Sequence, residues 1–267
     1  MTAISTSTRL RAAAATRQTQ PTQPTQGSAL IVGVVVAWIT LVLLVDSGST
    51  LGVQRLLGLG TWAVLLVLLA REAPLVRVQT AVVVVFASAV EYTFSPLLEV
   101  YLYRFHNVPA YVPPGHGLVY LAALAIGRSM FVRAHTRACM SLVLVVGGAY
   151  AAYGLVVADR RDVLGAFWYL CLVGFFRWGP SKGLYVGAFV VVTYLELSGT
   201  ALGTWAWQPH DPTGLVAIGN PPSGAAGGYG WFDLAALLTA PLLLARWSAK
   251  RREEDVSPPE PTRTRSG

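Results

Sequence analysis

The sequence predicts an all-α polytopic membrane bundle of about eight transmembrane helices, and three observations predict it. The 267 residues are 54% hydrophobic and 12% charged, far more apolar and far less charged than an average soluble domain. Apolar stretches recur at the roughly 17–25 residues a helix needs to cross hydrocarbon. The basic residues fall on one side of the loops that these stretches define.

Eight spans are read in order. They cover 28–45, 54–70, 78–102, 117–132, 138–158, 163–179, 183–207 and 231–247. The first runs unbroken through Val45 before Asp46, and the second ends at Arg71 and Glu72. The third follows Arg77 and runs through Glu91 and Glu99, and the fourth is the apolar run before Arg128. The fifth begins after the basic loop Arg133–Arg137, and the sixth lies between Asp162 and Arg177. The seventh follows Lys182 and carries Glu196, and the eighth runs from Trp231 to the basic run that starts at Arg246. Residues 28–247 are the transmembrane domain. Residues 1–27 are rich in Thr, Gln, Ala and Pro, have no apolar core of signal-peptide length and read as a disordered tail. Residues 248–267 mix charge with proline and read as a second tail.

The formal charge of +7 follows from topology rather than from a nucleic-acid surface. Placing the N-terminus in the cytoplasm puts sixteen of the 20 Lys and Arg residues on that side and leaves Arg55, Arg104, Arg160 and Arg161 outside. The expectation is a cell-membrane protein with both ends cytoplasmic. Its expected partners are membrane lipids and a hydrophobic small molecule, with no nucleic acid and no cofactor. Cys139 and Cys171 have neither metal-ligand spacing nor the pattern of a disulfide framework, and read as packing residues.

Residues 91–124 and 196–237 share one order of features. In the first, Glu91 precedes Tyr101, Tyr103, His106, Pro113-Pro114 and Leu121-Ala122-Ala123-Leu124. In the second, Glu196 precedes Trp205, Trp207, His210, Pro221-Pro222 and Leu234-Ala235-Ala236-Leu237. Either the chain is two four-helix repeats in parallel orientation or the match is chance in a low-complexity sequence.

Ionisable residues inside membrane spans mark a pathway, a binding site or a buried pair. Ser88, Glu91, Ser95 and Glu99 follow helical spacing and form one stripe, with Pro96 predicting a bend beside it. Glu196, Gly199, Gly203 and Trp207 share one face of the seventh span, and the Gly-x-x-x-Gly spacing predicts close approach of another helix. Glu91 and Glu196 are expected near mid-membrane, with Glu99 farther out. Candidate catalytic carboxyls are Glu91, Glu196, Glu99 and Asp233; Asp233, in a first helical turn, is read equally as a partner of the helix dipole. Candidate substrate contacts are Tyr101, Tyr103, Arg104, His106, His116, Trp205, Trp207, His210 and Asn220. The aromatic members read either as an interfacial belt with Tyr229 and Trp231 or as the lining of a cavity that stabilises positive charge. His106, His116 and His210 lie in outer loops without a compact ligand motif, so no metal site is assigned. The glycine-rich run 214–230 lacks the ending of a phosphate loop.

The segment Glu196-Leu-Ser-Gly-Thr-Ala-Leu-Gly-Thr-Trp-Ala-Trp207 resembles the Glu, Gly, Gly, aromatic-x-aromatic pattern of integral-membrane carotenoid hydratases and, more distantly, of membrane carotenoid cyclases. It covers a dozen residues, and the motif Tyr111–Gly117 has no counterpart in that pattern. The resemblance implies a carboxyl acid that protonates a polyene double bond, with water or an internal double bond capturing the cation. Three functions stay open at this point. One is a lipid- or isoprenoid-modifying enzyme, a hydratase or cyclase, using Glu91 and Glu196; another is a proton-coupled transporter or flippase with a midplane site; the third is a non-catalytic assembly subunit.

Overall fold

The computed structural model describes residues 27–256, so the tail expectations for the residues on either side lie outside the described residues. The chain forms α1 (Ser28–Gly48), α2 (Leu51–Leu69), α3 (Pro74–Tyr92), β1 (Tyr101–Tyr103), α4 (Val112–Arg128), α5 (Met130–Ala134), α6 (Thr136–Val156), α7 (Val163–Trp178), α8 (Lys182–Ala201), β2 (Trp205–Trp207) and α9 (Ala225–Val256). Six segments are long and apolar enough to cross a membrane: α1, α2, α3 extended to Leu97, α6, α8 and α9 through Ala249. They fit a multi-pass membrane protein. The helices read as the fourth and sixth spans, α4 and α7, are shorter, at 17 and 16 residues. The outward surface is apolar, with Leu59, Val85, Val145 and Leu242 each more than 60% exposed, as lipid contact requires.

Local chemistry fixes the helix ends. Thr50 and Asp162 cap α2 and α7 by accepting the N–H groups of Val53 and Gly165. Arg77 donates to the carbonyls of Leu69 and Ala70 and so closes the last turn of α2. Pro74 and Pro113 stand in the first turns of α3 and α4, where a missing N–H costs nothing.

Four sequence expectations are corrected. The third and seventh spans were expected to run as helix to 102 and 207, but helical backbone ends at Leu97 and Ala201. Beyond α3 the chain forms a π-helical turn over Thr93–Leu97 that contains Pro96, then Glu99 with a positive φ of 50°. Glu99 is thereby turned to the exposed surface and out of the stripe that Glu91 and Ser95 keep buried. The second correction concerns Gly203, whose φ of +68° ends α8 rather than seating another helix. Third, Val112–Gly117 is not loop but the opening turns of α4, which carries His116 into the core. Last, α9 continues to Val256, past the expected boundary at 247, because Lys, Arg and Glu are good helix formers.

The aromatic motifs emerge as strands. β1 and β2 pair antiparallel with Tyr101 opposite Trp207, Leu102 opposite Ala206 and Tyr103 opposite Trp205. Alternation along a strand sends the four large rings to one face, where all are buried, while Ala206 is exposed. This ribbon covers one end of the bundle, here termed the loop face.

Helix α4 is the centre of the bundle, with thirteen of its 17 residues buried. It packs tightly on α8, where a Cβ at Gly187 would stand 2.1 Å from the Ala123 carbonyl oxygen. At the loop face two buried acids hold the connections. Asp46 accepts from Gln54 at 3.0 Å and from the Tyr111 hydroxyl at 3.0 Å, tying the α1–α2 turn to the start of α4. Asp162 accepts the backbone N–H groups of Gly165, Gly219 and Ser223 at 2.9, 2.9 and 2.6 Å, and so pins the long loop before α9. Arg160 donates to the carbonyls of Trp207, Gln208 and Ile218 beside it. Replacing Asp162 with Ala leaves three backbone donors without their acceptor and is expected to destabilise the fold by on the order of 3 kcal/mol, read as a lowered unfolding midpoint in a fixed detergent; Asp162→Asn should recover part of the loss.

Candidate functional site

The buried face of the ribbon roofs a chamber of about 310 Å³. Its lining is mostly apolar, contributed by α1, α2, α3, α4, α7, α8, α9 and the ribbon, and it contains Glu91 and Glu196. These carboxyls stand six residues before Leu97 and five before Ala201, the ends of their spans. They therefore lie in the half of the bundle next to the loop face and not at the midplane, because both spans end earlier than hydropathy suggested.

Each carboxyl is held by the aromatic pair that follows it in sequence. Glu91 Oε2 accepts the Tyr101 and Tyr103 hydroxyls, both at 2.8 Å, and Oε1 meets His116 Nε2 at 2.8 Å. Glu196 Oε2 accepts the indole N–H groups of Trp205 and Trp207, both at 3.1 Å, and the Tyr229 hydroxyl faces the same carboxyl. Burial first, and the Glu91 charge second, hold the Tyr101 and Tyr103 hydroxyls well above the ordinary tyrosine range. Both phenols therefore remain donors across the working pH range.

The donor types assign the proton positions. Indole N–H is donor only, so with two such bonds on Oε2 a proton on Glu196 resides on Oε1. Glu91 Oε2 is likewise committed as an acceptor, and a proton between Glu91 and His116 lies on the Oε1–Nε2 line. One side of the chamber thus holds a carboxyl bonded by two indoles and the other a carboxyl–imidazole pair. Aromatic faces surround the space between them: Tyr101 and Trp207 pack at 4.5 Å between ring centroids, and Trp168 and Trp207 at 5.6 Å.

Of the sequence candidates, Glu91, Tyr101, Tyr103, His116, Glu196, Trp205 and Trp207 line this chamber. The others stand elsewhere. His106, with a φ of 55°, and His210 are exposed on the loop face, as is Glu99. Arg104 donates to the Ser49 carbonyl at 2.5 Å and lies 3.9 Å from Asp46, holding the α1–α2 turn. Asn220 accepts the Trp207 backbone N–H at 3.0 Å and supports the ribbon. Asp233 is buried below the chamber without lining it. It belongs to the third turn of α9, too far from the helix start to serve the dipole there. Among the described residues no group of three or more His, Cys, Asp or Glu side chains is placed to hold a metal ion.

Gly199 has a role other than close helix approach. A Cβ there would meet the Trp205 ring at 1.8 Å. The missing side chain is the seat of the indole that bonds Glu196. Trp168 and Phe232 are lining residues that the sequence reading passed over; neither belongs to the aromatic-x-aromatic pattern that singled out the others.

No family model, curated protein or solved structure matches the chain. The geometry therefore carries the functional argument.

Gly199→Val is expected to displace Trp205 and free Glu196 from one donor, seen as a shifted tryptophan emission spectrum. Trp205→Phe removes the donor while keeping an aromatic ring and should lower stability by about 1–2 kcal/mol, measured by chemical unfolding. Wild-type spectra and midpoints in both variants would contradict the clamp.

Proposed function

We propose that this protein is a membrane enzyme that modifies an unsaturated isoprenoid-type lipid by acid–base chemistry, with Glu196 as the acid and the Glu91–His116 pair as the base. The observation that carries the reading is one apolar chamber holding two carboxyls, each oriented by its own aromatic pair. An apolar chain fills such a lining without leaving polar groups unpaired. The partial likeness of Glu196–Trp207 to the carotenoid hydratase pattern supports a polyene as the substrate class.

The step begins when the Glu196 Oε1 proton is transferred to one carbon of a double bond. The π electron pair forms the new C–H bond and leaves a cation on the neighbouring carbon. The faces of Tyr101, Trp207, Trp168 and Tyr229 supply negative quadrupole around that charge. Water then adds to the cation: its oxygen forms the C–O bond and its surplus proton passes to Glu91–His116. Return of that proton to Glu196 restores the starting state, so the net change is addition of one water. Where an internal double bond captures the cation instead, the same base removes a proton from carbon and the product is an isomer.

The ribbon also supports duplication of a four-helix unit. Its register is centred on Leu102 and Ala206, the middle residues of the two motifs, as a twofold axis along the membrane normal would require. Under this reading the eight principal helices are two sets of four, α4 and α7 being spans too, and both chain ends lie on the face opposite the ribbon, where the basic residues gather.

Lipid and pigment profiling of a deletion strain complemented at matched expression tests the proposal. Wild type should restore a product that Glu91→Gln and Glu196→Gln reduce by at least a hundredfold, with unreacted precursor accumulating. Identical profiles in all strains, together with pH-gradient-dependent uptake by reconstituted vesicles, would shift the buried carboxyl pair to proton-coupled transport.

A further inference from the structure

A second set of buried polar groups lies beneath the chamber, next to the rings that form its floor. His116 stacks on Tyr229 at 5.1 Å between centroids, and Phe232 meets both edge-on at 5.5 and 5.6 Å. One helical turn farther from the loop face, Tyr120 follows His116 on α4 and Asp233 follows Tyr229 on α9, each displaced by about 6 Å along its axis. Tyr120 is 1% exposed and Asp233 5%, and Tyr185 on α8 is fully buried. Tyr120 has Asp233, Arg128, Tyr185 and Glu72 within electrostatic range. The Arg128–Glu72 ion pair, at 3.1 Å, closes the set at the opposite face.

These groups lack protein partners where partners are needed. The hydroxyls of Tyr120 and Tyr185, Asp233 Oδ2, and Arg128 Nε and Nη2 are all buried without a hydrogen bond to protein. So is His116 Nδ1, on the edge of the ring away from Glu91. Buried polar atoms are nearly always hydrogen-bonded, to protein or to ordered water. A row that includes donor-only guanidinium nitrogens, an acceptor carboxyl oxygen and two hydroxyls needs a small partner that both donates and accepts. Water meets that description.

We propose that this row is a hydrated path from the Arg128–Glu72 face to the underside of His116, and that it supplies the water consumed in the chamber. The four buried rings of the ribbon cover the chamber on the loop face, and the row reaches the base from the opposite side. One water enters per turnover: its oxygen and one hydrogen leave in the product hydroxyl, and the other proton is the one taken by Glu91–His116. The path stands on the buried polar groups alone. Its use as a water supply rests on the hydration reading.

Radiolytic hydroxyl-radical footprinting of the wild-type full chain in lipid nanodiscs tests the path, because radicals formed from bound water label the side chains beside it. After normalisation for side-chain reactivity, Tyr120 and Tyr185 should be labelled at least tenfold faster than Leu65, which is comparably buried in the other part of the core. Labelling no faster than Leu65 would overturn the path. Asp233→Leu replaces an incompletely bonded acid with an apolar group of similar size and should fold with an unfolding midpoint no lower than wild type. It should cut Tyr120 labelling severalfold and slow lipid hydration, with substrate binding in the chamber retained; unchanged Tyr120 labelling in the folded variant would also overturn the proposal. Rapid Tyr120 labelling in a wild-type protein that hydrates no lipid would retain the path and remove the hydration reading.

Discussion

A carboxyl inside an apolar bundle must be given hydrogen-bond donors, and the architecture around the chamber follows from meeting that need twice. Desolvation of an acid without partners is among the most costly events in folding. Helices cannot supply the donors from their backbones, since interior N–H groups are already paired. The chain therefore stops two helices one or two turns after each glutamate and folds an aromatic-x-aromatic strand back over it. Period-two alternation turns both rings of each strand inward, and antiparallel pairing puts four donors under one roof. The difference between phenol and indole then separates the two acids, because Tyr101 and Tyr103 surround a carboxyl that also meets His116, whereas Trp205 and Trp207 both bond one oxygen of Glu196.

The rest of the loop face keeps that roof in place. Asp162 and Arg160 do not touch the chamber, yet they fix the connection from β2 to α9 through backbone groups at Gly219, Ser223, Trp207 and Ile218. Asp46 does the same between β1 and α4 by holding Tyr111 at the head of α4. Charged groups at span ends thus act at a distance in sequence, and the chamber's shape depends on them as much as on its lining. The short α4, buried on nearly every side, then sets the spacing between the two carboxyl-bearing helices.

Much of this was legible in the sequence, but unevenly. Apolar length and charge placement gave the membrane class and the positions of the main helices, since both properties are local. Glu91, Glu196 and their aromatic pairs stood out as polar chemistry in apolar surroundings. Their geometry was misjudged because continuous hydropathy through Tyr101–Tyr103 and Trp205–Trp207 counts as helix in any window that ignores period-two alternation. The proline pair at the head of α4 resembled a loop, although proline in a first helical turn is equally normal. His106 and His210 were selected by residue type and turn out exposed; His116 has the same residue type and a wholly different place. Asp46 and Asp162 could not be recognised at all, because their partners lie beyond the reach of any local pattern.

Under the proposed reading, the two separately oriented carboxyls facing one apolar space serve an unsaturated, lipid-soluble ligand. Mass spectrometry of the small molecules retained by purified protein tests this most directly, comparing wild type with a doubly substituted Glu91→Gln, Glu196→Gln protein. The account predicts that the double variant retains an unreacted unsaturated isoprenoid near one per chain, while wild type retains the same skeleton with water added or with its double bonds rearranged. Retention of only bulk phospholipid by both proteins would contradict it.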